Sequence, residues 1–219
     1  MKLLRDNGLS LVLVVLFVAL LFGQTVAGHR EHNSDQVQHG EQPISYTSYL
    51  ASPHFLEAMF ENWESEFLQM GFYVILTAFL FQRGSSESKD PDKQEKVDED
   101  PRIHRQPDSP SPVRRGGWRL RFYEYSLSIA LLLLFLVSFA GHAIWGRAEY
   151  NDELASHGEP PLSLVEYAGS SRFWFESLQN WQSEFLAVAA LAVLGIFLRQ
   201  RGSPESKPVA APHSRTGSS

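Results

Sequence analysis

The sequence predicts an all-α integral membrane protein with four membrane-spanning helices from two parallel two-span repeats, and amphipathic interfacial helices in the outer loops. Three observations carry this: two uncharged apolar runs of bilayer length, two shorter runs that each follow an amphipathic stretch, and a match of the sequence to itself at a shift of 118 residues. Average composition conceals all three. A chain of 219 residues that is 43% hydrophobic and 20% charged, with net charge −6, would also describe a mildly acidic soluble protein. The chain has no Cys, which removes disulfides, thiolate metal sites and thiol nucleophiles. Its near-balanced charge argues against a nucleic-acid partner, which would call for a basic surface.

The first span is residues 9–27 (LSLVLVVLFVALLFGQTVA), 19 residues without a charge, and the third is 126–145 (SLSIALLLLFLVSFAGHAIW). At 1.5 Å per residue each reaches about 28–30 Å, the thickness of a bilayer's hydrocarbon layer. The apolar runs 67–81 and 185–198 alone would reach only about 21–22 Å. Before them, Phe55, Met59, Trp63 and Phe67, and likewise Phe173, Leu178, Trp181 and Phe185, recur at helical spacing. The helices are therefore expected to begin near residues 54 and 172. Counted as 63–82 and 181–200 they span about 30 Å, with Trp63 and Trp181 as anchors at one interface and Arg83 and Arg201 at the other.

Lys and Arg orient the spans. Lys2 and Arg5 precede the first, ten basic residues lie from Arg83 to Arg121, and four lie from Arg199 to Arg215. Segments 28–66 and 146–184 carry −6 and −5. The positive-inside rule then puts both termini and the central segment in the cytoplasm, and the loops 28–62 and 146–180 outside the inner (plasma) membrane. The N-terminus also fits a signal peptide cut after Thr25-Val26-Ala27. Its counterpart in the second half, an internal span, weighs against cleavage.

Shifting the sequence by 118 residues pairs Arg5 to Lys89 with Tyr123 to Lys207 without a gap, with 33 identities. The shared blocks are His39-Gly40-Glu41-x-Pro43, Asn62-Trp63-x-Ser65-Glu66-Phe67-Leu68 and Gln82-Arg83-Gly84-Ser85-x-Glu87-Ser88-Lys89. Repeat 1 is thus 1–89 and repeat 2 is 118–207. A unit with an even number of crossings returns to its own side, so the copies are expected to be parallel. Residues 90–117 and 208–219, polar and nearly free of aliphatic side chains, are expected to be a disordered cytoplasmic linker and tail.

Candidate chemistry is sparse. Asn62 and Glu66 lie four apart on one helix face, as do Asn180 and Glu184, a polar pair able to hold a cation or proton near the outer interface. The plainer reading is a solvated face beside interfacial tryptophans. The His-Gly-Glu-x-Pro block reads as a helix end: His in the last turn, Gly past it, then Pro. Histidines 29, 32, 39 and 54 have a single counterpart in the second half, His157, so no metal site is assigned. None of the four spans holds Asp, Glu, Lys or Arg between its interfacial ends. Gln24, Thr25, Gln69, Thr77, Ser138 and His142 suit interhelical hydrogen bonds, and Gly71, Gly141 and Gly195 suit close helix contact. Residues 114–121 (RRGGWRLR) form a basic cluster suited to anionic lipid headgroups. No phosphate loop, zinc-protease motif or nucleophile motif is present, so no catalytic residue and no cofactor is assigned.

The paired Leu-Ser spans, the His-Gly-Glu-x-Pro loops, the Asn-Trp-x-Ser-Glu-Phe-Leu blocks and the Gln-Arg-Gly-Ser-x-Glu-Ser-Lys exits resemble a family of bacterial integral membrane proteins known as a domain of unknown function, here in two tandem copies. The first copy departs at Gln42, where the second has Pro160, and at Glu64, where it has Gln182. The resemblance implies a membrane location and no activity. The residues point to a non-enzymatic structural or interaction component of the cell envelope. Its partners would be the lipid bilayer and a second copy or another envelope protein. The alternative is a small oligomeric channel or transporter component using Glu66 and Glu184.

Overall fold

The computed structural model describes residues 2–217, with side chains from Arg5 onward. Among these residues every regular element is helical and none is a strand. In order they are α1 (Lys2–Gln38), α2 (Tyr46–Tyr49), α3 (Pro53–Phe79), one 3-10 turn at Lys96–Asp98, α4 (Ser111–Arg115), α5 (Gly117–Glu124), α6 (Ser126–Ser156), α7 (Leu164–Ala168) and α8 (Ser171–Phe197). The chain divides into two compact units, the first of Met1–Phe60 with Gly141–Ser170 and the second of Glu61–Ala140 with Ser171–Ser219.

Three helices, not the four expected, are long and apolar enough to cross a membrane: Arg5–Gln38 within α1, α6 and α8. Only 6% of the most apolar stretch of α1 is buried, and none of that of α8. Exposed apolar side chains such as Leu9, Val15, Leu20 and Phe22 are consistent with a helix that crosses a membrane. The fourth candidate, α3, falls short in hydropathy: it carries Glu64, Glu66 and Gln69 where α8 has Gln182, Glu184 and Ala187. Both helices also stop three residues before the expected ends, α3 at Phe79 rather than Gln82 and α8 at Phe197 rather than Gln200. The first span is longer than expected, because α1 continues to Gln38 and takes in the start of the predicted outer loop.

Element ends recur at one spacing. α1 and α6 end at Gln38 and Ser156, α2 and α7 begin at Tyr46 and Leu164, and α3 and α8 run 53–79 and 171–197; each pair is 118 residues apart. Local bonds recur with them. In the first unit, Asn33 clasps Ile44, accepting from its N–H at 2.8 Å and donating to its carbonyl at 3.0 Å, and Asn151 does the same to Leu162 at 2.8 and 3.1 Å. The helices before these clasps end through Gly40 (φ 79°) and Gly158 (φ 73°), with Glu41 and Glu159 N–H donating back to Gln36 and Leu154 carbonyls. Tyr49 and Tyr167 are both buried, each with its hydroxyl against a glycine, Gly28 and Gly146. Thr25 bonds the Tyr46 hydroxyl, and Gly141 gives room to the Phe60 ring.

In the second unit the exit turns also correspond. Gln82 N–H donates to Ser88 Oγ at 2.8 Å and Gln200 N–H to Ser206 Oγ at 2.9 Å. Segment 90–117, expected to be unstructured, contains the 3-10 turn, α4 and the first residue of α5, and is tied by Lys89–Asp98 and Arg83–Asp92 ion pairs. The tail is tied as well. Lys207, 1% exposed, donates to the carbonyls of Gly84, Ile196, His213 and Arg215, while Thr216 Oγ1 accepts from Gly84 N–H at 2.9 Å. A buried ammonium needs such acceptors, and the tail supplies two of them. Burial, and then the nearby Arg199, holds the Lys207 pKa below the usual lysine value.

Candidate functional site

The four residues of the predicted polar pair all lie in the second unit, where Glu66 is near enough to Glu184 for the two charges to interact. Asn62 and Glu66 are exposed, Asn180 and Glu184 half-buried. The Asn180 amide donates to Glu61 at 2.6 Å, and the Glu184 backbone carbonyl accepts from Gln69 at 3.2 Å. The enclosed carboxylate is instead Glu64, fully buried, which accepts from Trp181 Nε1 at 3.1 Å. Trp181 also packs against Phe135, Phe139 and Trp174, so its indole is engaged within the protein. Trp63 is half-buried; Arg83 is exposed and paired with Asp92 at 2.7 Å, and Arg201 is exposed. In the sequence Glu64 stands out only as a departure between the halves, since the second has Gln182 at that place.

The first unit holds a cleft of about 380 Å³ lined by histidines and carboxylates from α1, α3 and α6. Three local features build it. Gly28 lets the Tyr49 hydroxyl reach α1, and one turn further along α1 is His32. Ser52 caps α3 by accepting from Phe55 N–H at 3.3 Å, which places His54 in the first turn. Gly146 lets the Tyr167 hydroxyl reach α6, and Glu149 follows three residues later.

The rings of His32 and His54 lie 5.0 Å apart, and Tyr49 lies 5.7 and 5.8 Å from them. One ligand atom from each of His32, His54 and Glu149 falls within 4.8 Å of the others. His54 Nε2 is 3.4 Å from a Glu31 carboxylate oxygen, and its Nδ1 is 3.2 Å from the Tyr49 hydroxyl. Burial, followed by Glu31 and Glu149, pushes the Tyr49 phenol up to about 12, so it stays protonated. Burial and His32 outweigh Glu31 and Asp35 at His54, whose pKa falls below the ordinary imidazole value.

Of the four histidines weighed in the sequence, the fold brings together His32 and His54. His29 is taken by the clasp, 2.9 Å from the Ile44 carbonyl, and His39 sits exposed at the helix end, 3.5 Å from Asp35. The third group, Glu149, comes from the other half of the chain, 95 residues beyond His54. Its sequence signal was its identity with Glu31 at the 118-residue shift.

No curated protein and no solved structure matches this chain. Residues 1–218 match a single family, described as a domain of unknown function, DUF6766. The match runs once from end to end, which corrects the expectation of one family domain in each half: both halves and the segment between them are parts of one domain. With essentially the whole chain covered, the protein belongs to the DUF6766 family.

Proposed function

We infer that the protein is a multi-pass membrane protein of the bacterial cell envelope that acts without catalysis, through helix packing and the contacts of its polar segments. Each half crosses the membrane twice, and both termini and segment 90–117 face the cytoplasm. The observation that carries this is the constant 118-residue spacing of helix ends, which gives α3 the same bounds and the same Asn-Trp-x-Ser-Glu-Phe-Leu block as α8. A helix so matched is assigned the same route. The polar groups that lower its hydropathy are partly answered within the second unit, Glu64 by Trp181 and Gln69 by the Glu184 carbonyl. Two crossings per half make the halves parallel, with a pseudo-two-fold axis along the membrane normal. The basic residues of 83–121 and 199–215 against the acidic 28–66 and 146–184 support this orientation.

Apolar runs without Asp, Glu, Lys or Arg support a packing or contact role over an ion pathway, since such pathways are lined by ionisable groups. The contact partners are the bilayer itself and a second copy or another envelope protein. Reconstituted into liposomes, the protein is expected to pass ions no faster than empty vesicles. Flux that disappears in the Glu66→Gln/Glu184→Gln variant would establish the channel alternative instead.

A further inference from the structure

We propose that the first unit binds one divalent transition-metal ion of the zinc class through His32, His54 and Glu149. The three residues come from three helices, α1, α3 and α6, and all are half-buried, so their freedom is already restricted before an ion arrives. Their ligand atoms lie within 4.8 Å of one another. A tetrahedral ion with bonds of about 2.0–2.1 Å spaces its donors about 3.3 Å apart, so side-chain rotations of roughly an ångström close the set. Imidazole nitrogen favours zinc, copper, nickel or iron over calcium and magnesium, which take oxygen.

The surroundings fit the same ion. The Tyr49 hydroxyl at 3.2 Å from His54 Nδ1 fixes the ring and leaves Nε2 toward the cleft, the usual outer support of a metal-binding histidine. Glu31, 3.4 Å from that Nε2, stands where a fourth donor belongs. Two imidazole nitrogens with the Glu149 and Glu31 carboxylates make a mixed nitrogen and oxygen donor set of the kind zinc takes. Asp35 and Glu153 on the cleft wall add negative potential that draws cations in. The matched positions of His32 and His54 are Tyr150 and Arg172, so the second half does not repeat this set.

The test uses full-length protein without an affinity tag, in detergent, titrated with Co(II) as a coloured probe. The expected result is one ion per chain with the strong visible absorption of a tetrahedral site, displaced by Zn(II) and not by the same excess of Ca(II) or Mg(II). His32→Gln, His54→Gln and Glu149→Gln should each weaken binding at least about tenfold, while His104→Gln, in segment 90–117, leaves it unchanged. Equal affinity in the three variants, or equal competition by Ca(II), overturns the proposal. Should a variant misfold, X-ray absorption of the Zn(II)-loaded wild-type protein decides: two imidazoles at about 2.0 Å are expected, and an all-oxygen shell overturns it.

Discussion

Gly146→Ala is expected to destabilise the protein by about 2 kcal/mol, although alanine within a helix is ordinarily better than glycine by about 1 kcal/mol. A Cβ at position 146 would lie 2.4 Å from the Tyr167 hydroxyl and 3.0 Å from a Glu57 carboxylate oxygen. Tyr167 is fully buried on α7, whose start is pinned by the reciprocal Ser163 and Glu166 capping box, so the ring has no room to retreat. Overpacking of this kind costs about 1–3 kcal/mol, which reverses the sign of the propensity effect. Gly28→Ala meets the Tyr49 hydroxyl at 2.1 Å and should behave alike, with the added effect of shifting the ring that touches His32 and His54. Removing the hydroxyl with Tyr167→Phe should return much of the stability lost in Gly146→Ala. Gly23, with nothing within 4 Å of a Cβ, is the internal control, and its alanine variant should be neutral or slightly more stable. Unfolding followed by circular dichroism in detergent measures all four. Equal stability of the Gly146→Ala and Gly23→Ala proteins would rule out the tyrosine contact.

Lys207→Met is expected to destabilise the second unit by about 3 kcal/mol and to release the tail. The ammonium serves four backbone carbonyls, and buried acceptors left unpaired cost about 1–3 kcal/mol each. Ile196, in the last turn of α8, also accepts from Arg199 Nη1 at 3.2 Å, so the loss falls on the Gly84, His213 and Arg215 carbonyls. The matched residue in the first half, Lys89, reaches Asp98 in a partly exposed ion pair, so Lys89→Met should change stability by at most about 1 kcal/mol. New protease cuts between 208 and 217 in Lys207→Met, and none in Lys89→Met, are the readout. An unchanged digestion pattern would mean the tail is held by other contacts.

Sequence pattern made the helices legible because apolar periodicity and helix-ending glycines act locally. The His-Gly-Glu-x-Pro block marked the helix ends at Gly40 and Gly158, whereas the ends expected at Gln82 and Gln200 fall three residues earlier, at Phe79 and Phe197. The 118-residue match did not reveal which side chains meet. Lys89 and Lys207 close the same Gln-Arg-Gly-Ser-x-Glu-Ser-Lys block, yet one reaches a side-chain carboxylate and the other four carbonyls, two of them in the tail. Asn62 and Glu66 share a helix face as their spacing requires, but the carboxylate that the fold encloses is Glu64, because α8 presents Trp181 to it. His32 and His54 are separated by a clasp and a short helix, and Glu149 lies in the other half. Their convergence depends on two glycine–tyrosine contacts that no local pattern announces.

Membrane crossing by α3 decides the topology, and single-cysteine labelling reads it out. The chain has no Cys of its own, so each introduced thiol reports alone. Gln42→Cys, Glu159→Cys, Asp108→Cys and Ser214→Cys all replace exposed residues. On intact cells a membrane-impermeant maleimide is expected to label the first two, and to reach Asp108→Cys and Ser214→Cys only after the membrane is opened. Labelling of Asp108→Cys from outside would contradict the account, since it would leave α1, α6 and α8 as the only crossings.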